Sequence, residues 1–357
     1  MDKQREYKDI ELFKRECDDN YLLLLNNKTL SVGFLVKDTL LLLQSGITNP
    51  TEIKEELYII HKLEIEIIDI ENIIRLINKF TFESTEPFYV KLFKLFDPSS
   101  IHVGINFLFN KVVFYYSFVL LLILNLFLIL IVSPEKLKSA NEWIIWSLSL
   151  GIILLFHEFG HSLSAKKYGI NCKEIGIGLY LIFPILYTNL GESWKLTKEK
   201  RIMINLSGIY FQLIIGTFIG FSALLISSSI LSKLFFANIA IVIANINPLI
   251  KLDGYWIFAD LLNVGNLSKA ANKELRKPIS SDFFKNMNAK LFVYALLRAV
   301  FTIAMLATMI TMLITAFIKI INQSHLSYND YLIIVFIICY AKKYIKIWIC
   351  KMKKNYF

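Results

Sequence analysis

WIIWSLSLGIILLFHEFGH, residues 143–161, is an unbroken apolar run that ends in three ionisable side chains. A helix needs roughly 20 apolar residues to cross about 30 Å of hydrocarbon, and the segment 143–165 has that length. His157 and His161 are four residues apart, so on a helix they lie one above the other and can bind one metal ion. Glu158 follows the first histidine and can reach a metal-bound water without being a ligand itself. Ionisable groups inside or at the edge of a membrane helix are costly and by default functional. A buried polar cluster that merely bridges helices is the weaker reading.

Outward from this run, the rest of the chain supports a membrane setting. Its 357 residues are 55% apolar, with mean hydropathy +0.53, which excludes the soluble and disordered classes. Six segments read as membrane-spanning: 112–133, 143–165, 205–231, 234–252, 291–318 and 329–349. Lys and Arg number seven in 166–204, six in 253–290 and six after 341, whereas the opposite loops hold little beyond Lys136, Lys138, Lys233 and Lys319. This asymmetry places both termini in the cytosol of a multi-pass plasma-membrane protein, and it accounts for the net charge of +10 without nucleic acid. The four cysteines are scattered and form neither a disulfide framework nor a cysteine zinc site. The charged N-terminus has no apolar core of the signal-peptide kind.

Residues 1–85 read as a small cytosolic α+β domain. The stretches Tyr21 to Leu25 and Thr29 to Leu35 flank an Asn26-Asn27 turn, a hairpin pattern, and amphipathic helices follow over 37–45, 51–62 and 69–80. Asp69 is a plausible N-cap for the last, with Ile70, Ile73, Ile74 and Ile77 on one face. The arrangement suggests a winged-helix-like module. Residues 86–111, with Pro87 and Pro98, read as a linker to the membrane domain at 112–357. One apolar stretch, IGIGLYLIFPILYT at 175–188, is too short to span and is punctuated by Gly176, Gly178 and Pro184. It reads as a re-entrant extended segment, which membrane depth tolerates only where protein or a cavity satisfies the backbone.

A catalytic zinc takes three protein ligands and leaves one position open. The remaining histidines are poorly placed: His61 and His102 lie in the cytosolic region and His325 near a far-side loop. A carboxylate is the expected third ligand, and Asp253 stands at the cytosolic end of an otherwise uncharged segment, on the membrane side expected for the HEFGH helix end. The alternative for Asp253 is a cap of the following helix, DGYWIFADLL. Lys251, two residues earlier, either contacts a substrate carboxylate or snorkels to the interface.

HEFGH together with Asn245-Ile246-Asn247-Pro248-Leu249-Ile250-Lys251-Leu252-Asp253-Gly254 resembles the paired motifs of the site-2 protease family of intramembrane metalloproteases, over a core of about 143–262. The resemblance implies one Zn²⁺ held by His157, His161 and Asp253, water activation by Glu158, and help at the substrate carbonyl from Asn245. The family's Gly-Pro-x-x-Asn pattern is replaced by Gly208-Ile209-Tyr210-Phe211-Gln212, so Gln212 stands where a polar substrate contact is expected. The wording is most similar to a bacterial branch, the peptide zinc metalloproteases, linked to maturation or export of ribosomally made, modified peptides. That branch implies a leader-gripping role for the N-terminal module, with a peptide-modifying enzyme or an exporter as further partners.

A peptide bond in a helix is shielded, so a substrate has to be extended at the site. The segment 175–188 could offer it an edge strand, with Gly176 and Gly178 allowing close backbone approach. The same segment could equally be a plug between helices. The expected activity is that of a membrane zinc metalloendopeptidase acting on a peptide precursor or a membrane-protein substrate. The rival is a non-enzymatic component of a peptide export or immunity system that keeps the fold. A di-metal oxygenase would need more histidines. A DNA-binding regulator is disfavoured because helix 69–80 offsets Arg75 and Lys79 with Asp69 and Glu71.

Overall fold

The computed structural model describes residues 7–16, 19–25, 28–82, 90–101, 104, 106–172, 174–180, 183–276 and 288–321. The chain divides into two compact units. The first comprises residues up to 88, 94–176 and 186–246; the second comprises 89–93, 177–185 and 247 onward.

The first unit begins with an antiparallel meander of β1 (Glu11–Lys14), β2 (Tyr21–Leu25) and β3 (Lys28–Val32), in that order. Its register pairs Glu11 with Leu24 and Tyr21 with Val32. Three helices follow: α1 (Phe34–Ser45), α2 (Pro50–His61) and α3 (Ile67–Phe82). Asn49 caps α2 by accepting from Thr51 N, with Pro50 in the first turn where its missing N–H is harmless. Ile70 and Ile77 of α3 are fully buried with Leu23, Leu40, Ile53 and Leu57, and Ile73 and Ile74 pack against that core. The hairpin strands and all three helices thus occur close to where periodicity places them. Strand β1 is an addition that four residues with charged ends do not announce. The Asn26-Asn27 turn lies outside the described residues.

Among the described residues, five helices are long and apolar enough to cross a membrane, by length and composition. Four belong to the first unit: α4 (Lys111–Ile131), α5 (Ala140–Lys167), α6 (Lys198–Ile226) and α7 (Ser229–Ile246). The expected sixth span, 329–349, lies outside the described residues. Boundaries of the third and fourth spans differ from the sequence reading: α6 already begins at Lys198 and α7 ends at Ile246, before the expected 252. The turn between the third and fourth spans falls at Ser227, whose φ of 51° is left-handed, and not at 232–233. The serine run 227–229 ends the helix, and Lys233, read as a turn marker, lies inside α7 with its ammonium over the Trp143 ring at 4.8 Å.

Small and polar residues bring these helices together, as expected where lipid removes the hydrophobic drive for helix association. A methyl group on Gly160 would meet Ser207 O of α6 at 2.4 Å, so α5 and α6 pack backbone to backbone there. Asn125 of α4 donates to Leu213 O at 3.0 Å and to Thr217 Oγ1 at 2.8 Å. Large apolar side chains such as Leu130 and Leu225, 82% and 86% exposed, cover the outer face.

The expected linker 86–111 contains a strand, β4 (Val90–Phe96). It forms a second sheet with β5 (Ile175–Tyr180) and β6 (Phe183–Thr188), in the order β4-β5-β6. The second unit also holds α8 (Asp253–Leu261), α9 (Leu267–Leu275) and α10 (Ala289–Ile321) around Tyr255, Leu267 and Tyr294. The Tyr255 hydroxyl accepts from Ser268 N at 2.9 Å, and the Tyr294 hydroxyl donates to Pro248 O at 3.1 Å.

Candidate metal centre

His157 and His161 lie on adjacent turns of α5, buried together with Glu158. Each imidazole commits one nitrogen to a fixed partner. His161 Nδ1 is 2.8 Å from Ile204 O, and because a carbonyl only accepts, that nitrogen carries its proton. His157 Nδ1 is 3.0 Å from Gln212 Oε1 and donates to it in the same way. The two Nε2 atoms face each other 3.0 Å apart with the rings nearly perpendicular, at 87°. Two imidazole nitrogens converging in a buried site, each ring held from behind through its other nitrogen by a carbonyl, follow the usual pattern of metal-ligating histidines, and the donor set fits a metal ion.

Helix α6 supplies the wall behind the rings. A methyl group on Gly208 would sit 2.4 Å from His161 Nε2 and 2.7 Å from His157 Cε1, so only glycine leaves room for both. One turn on, Gln212 is fully buried and held at both ends of the residue. Its side-chain Oε1 accepts from Asn245 Nδ2 at 3.2 Å as well as from His157, and its backbone O accepts from Asn238 Nδ2 at 2.9 Å. Gln212 and Asn245, expected near a substrate, thus orient His157 in this structure. Gly208 and Gln212 are spaced i, i+4 on α6, as His157 and His161 are on α5, and that match is the sequence signal for this wall.

Asp253 is the first residue of α8. The cap position falls to Leu252, which makes no side-chain cap bond, so Asp253 does not serve as the expected alternative cap. At a helix N-terminus the exposed N–H dipoles favour a carboxylate. With its oxygen added to the two imidazole nitrogens, His157, His161 and Asp253 make a group that could hold a metal ion. Nearby in sequence, the Lys251 ammonium lies 6.0 Å from the Tyr255 ring centroid.

Glu158 receives a bond that the sequence reading lacks. The Thr188 hydroxyl donates to Glu158 Oε2 at 2.7 Å, with the Glu158 backbone carbonyl at 3.2 Å. Gly176 and Gly178 are buried on β5, which is the middle strand of its sheet. A middle strand has both ladders occupied, so within 175–188 the edge of the sheet is β6 and not the strand that carries the glycines. Burial pushes the Cys172 thiol up to about 12.

Residues 145–228 match the family model of Peptidase family M50, the site-2 proteases, so the resemblance carried by HEFGH holds over that stretch. Over 166 residues the chain is 29% identical to YydH of Bacillus subtilis, provisionally named a peptide zinc metalloprotease protein; the match covers 44% of this chain and 66% of that one. Over 91 residues it is 31% identical to the zinc metalloprotease MJ0392 of Methanocaldococcus jannaschii, covering 26% and 25%. The chain therefore spans just under two thirds of the first relative and a quarter of the second. No solved structure matches.

Proposed function

We propose that this chain is a membrane-embedded zinc metalloendopeptidase in which His157, His161 and Asp253 hold the metal and Glu158 is the general base. The observation that carries the reading is the pair of buried Nε2 atoms facing each other at 3.0 Å with both Nδ1 atoms already committed. A structural metal site has no use for a carboxylate one residue after its first ligand, and Glu158 is intact. Zinc, when bound, supplies polarisation of the scissile carbonyl and a lowered pKa for water.

The chain's own residues do the rest. Glu158 takes a proton from the attacking water and returns it to the leaving nitrogen as the C–N bond breaks, so the carboxylate is regenerated each turnover. Gln212 and Asn245 hold the His157 ring so that its Nε2 faces the centre. An extended substrate pairs along β6, the edge strand that ends one residue before Asn189. Pro184 lacks an N–H and is tolerated there because edge strands need not donate at every position.

The substrate class we propose is a ribosomally made peptide precursor. The name of the Bacillus relative supports this, as does the N-terminal α+β module, which has the strand and helix content of a winged-helix-like leader-binding domain. Capture of a leader by that module would raise the local substrate concentration at the metal. Both termini face the cytosol in this reading, following the Lys and Arg asymmetry.

Comparative peptidomics of cells expressing the wild type or Glu158→Gln tests the proposal. An uncleaved precursor accumulating only with the variant is the expected outcome. Identical profiles from folded, zinc-loaded proteins would instead assign a non-enzymatic role in peptide export or immunity.

A further inference from the structure

We infer that Thr188 is a positioning residue that holds the Glu158 carboxylate in its working orientation through the bond from its hydroxyl to Glu158 Oε2. The inference rests on the reading of Glu158 as general base and adds a residue that neither motif contains.

The geometry is specific. Glutamate has three rotatable side-chain bonds, and ordering them opposes any fixed placement. Threonine is β-branched and stiff at its single side-chain torsion, and here it sits at the end of β6 on a backbone that is itself tied down. Asn189 N donates to Glu174 O at 3.1 Å, and the Tyr187 hydroxyl bonds the Glu174 carboxylate. Thr188 is thus held on both sides, and its single proton reaches Oε2 at 2.7 Å. A hydroxyl-to-carboxylate bond of this length is charge-assisted and stronger than a neutral one. With Oε2 anchored, Oε1 is the oxygen left to exchange a proton with water and leaving group. The strand that offers an edge to the substrate therefore also sets the position of the base.

Thr188 could instead do no more than pin β6 to α5, and the variants separate the two roles. The probe is fluorescein-labelled casein, an unfolded chain, with the full-length zinc-loaded protein in detergent micelles. Thr188→Val keeps the shape and removes the proton; Thr188→Ser keeps the proton. The expected result is a loss of roughly 10–100-fold in kcat for Thr188→Val, the range typical of lost orienting partners. KM and zinc content should stay unchanged, and Thr188→Ser should recover most of the rate. A Thr188→Val enzyme as fast as wild type would overturn the inference. So would a raised KM with normal kcat, which would assign Thr188 to substrate pairing, or a failure of serine to rescue.

A second readout does not depend on catalysis. In zinc-free protein, the Tm losses of Thr188→Val and Glu158→Leu should be non-additive, since each removes one partner of the same bond. Non-additive losses with no casein cleavage by the wild type would sink the peptidase reading and leave the bond standing. Additive losses would sink the positioning role even with an active wild type.

Discussion

The described histidines of the first unit sit in two settings, and the contrast lies in which ring nitrogen each setting holds. His61, at the end of α2, spends its Nε2 on Asp38 Oδ2 at 2.9 Å, beside Lys37 at 2.7 Å from the same carboxylate group's other oxygen. That imidazole is 23% exposed, and its partner carboxylate is buried. His157 and His161 are buried, and their Nδ1 atoms are spent on neutral carbonyls. Their Nε2 atoms are thereby left facing each other. Burial alone does not turn two imidazoles toward each other; the choice of which nitrogen is bonded, and to what, does.

Four experiments would break or sharpen this comparison. The largest effect is expected from Asp253→Ala, which should leave purified protein without stoichiometric zinc, while His61→Ala should leave zinc untouched. Full zinc retention in Asp253→Ala would move the third ligand to another residue. Next comes the same substitution made in both regions. Gly208→Ala places a methyl 2.4 Å from His161 Nε2, whereas Gly33→Ala, before α1, meets nothing within 4 Å. Zinc content should collapse in the first and stay at wild-type level in the second. Equal zinc in both would mean that the rings have room to spare.

A smaller effect is expected where an orienting group is lost rather than a ligand or the space for it. Gln212→Leu should weaken zinc binding by about 10–100-fold in chelator competition. Neutralising the partner of the other histidine, by Asp38→Asn, should leave zinc binding at the wild-type level. If Gln212→Leu binds zinc as tightly as wild type, the carbonyl on His157 is incidental.

The smallest effect concerns the seam between the N-terminal sheet and the start of α6. Glu16 N donates to Lys195 O at 2.8 Å, and its carboxylate accepts from Lys200 Nζ at 2.7 Å and from Thr197 N at 3.3 Å. The hydrogen bond from Lys200 is the main cause that holds the Glu16 carboxyl below its usual range. A depressed folded-state value means the stabilisation is fully present above the unfolded value of about 4.3 and is lost as pH falls through the lower folded value. Protection factors of the β1 amides, taken against the intrinsic exchange rate at each pH, should therefore fall below about pH 4 in wild type. In Glu16→Gln they should be lower at neutral pH and unchanged by acidification. A wild-type profile that does not change with acid would remove the clasp.

Much of the architecture was legible in advance because it depends on local patterns. The four apolar runs of the first unit became helices near their expected ends, and the isoleucines of α3 turned inward at the spacing read from them. The misplaced turn at 232–233 shows the limit of such reading. A lone lysine looked like a loop, but its stem lies along a membrane helix and its charge finds the Trp143 ring. Strand β4 went unseen because a seven-residue alternation acquires meaning only when β5 lies beside it.

The sequence by itself determined the membrane class, the paired histidines and the glutamate between them, because hydropathy and i, i+4 spacing are properties of one helix. Only the tertiary structure decided which ring nitrogens are spent, why residue 208 has to be glycine, and that Thr188 holds Glu158. Those relations join side chains 55 residues apart, as in His157 and Gln212, or 30 apart, as in Glu158 and Thr188. No periodicity links such positions; they meet because α5, α6 and the end of β6 pack within hydrogen-bonding distance, and the directionality of those bonds then assigns each nitrogen and oxygen its task.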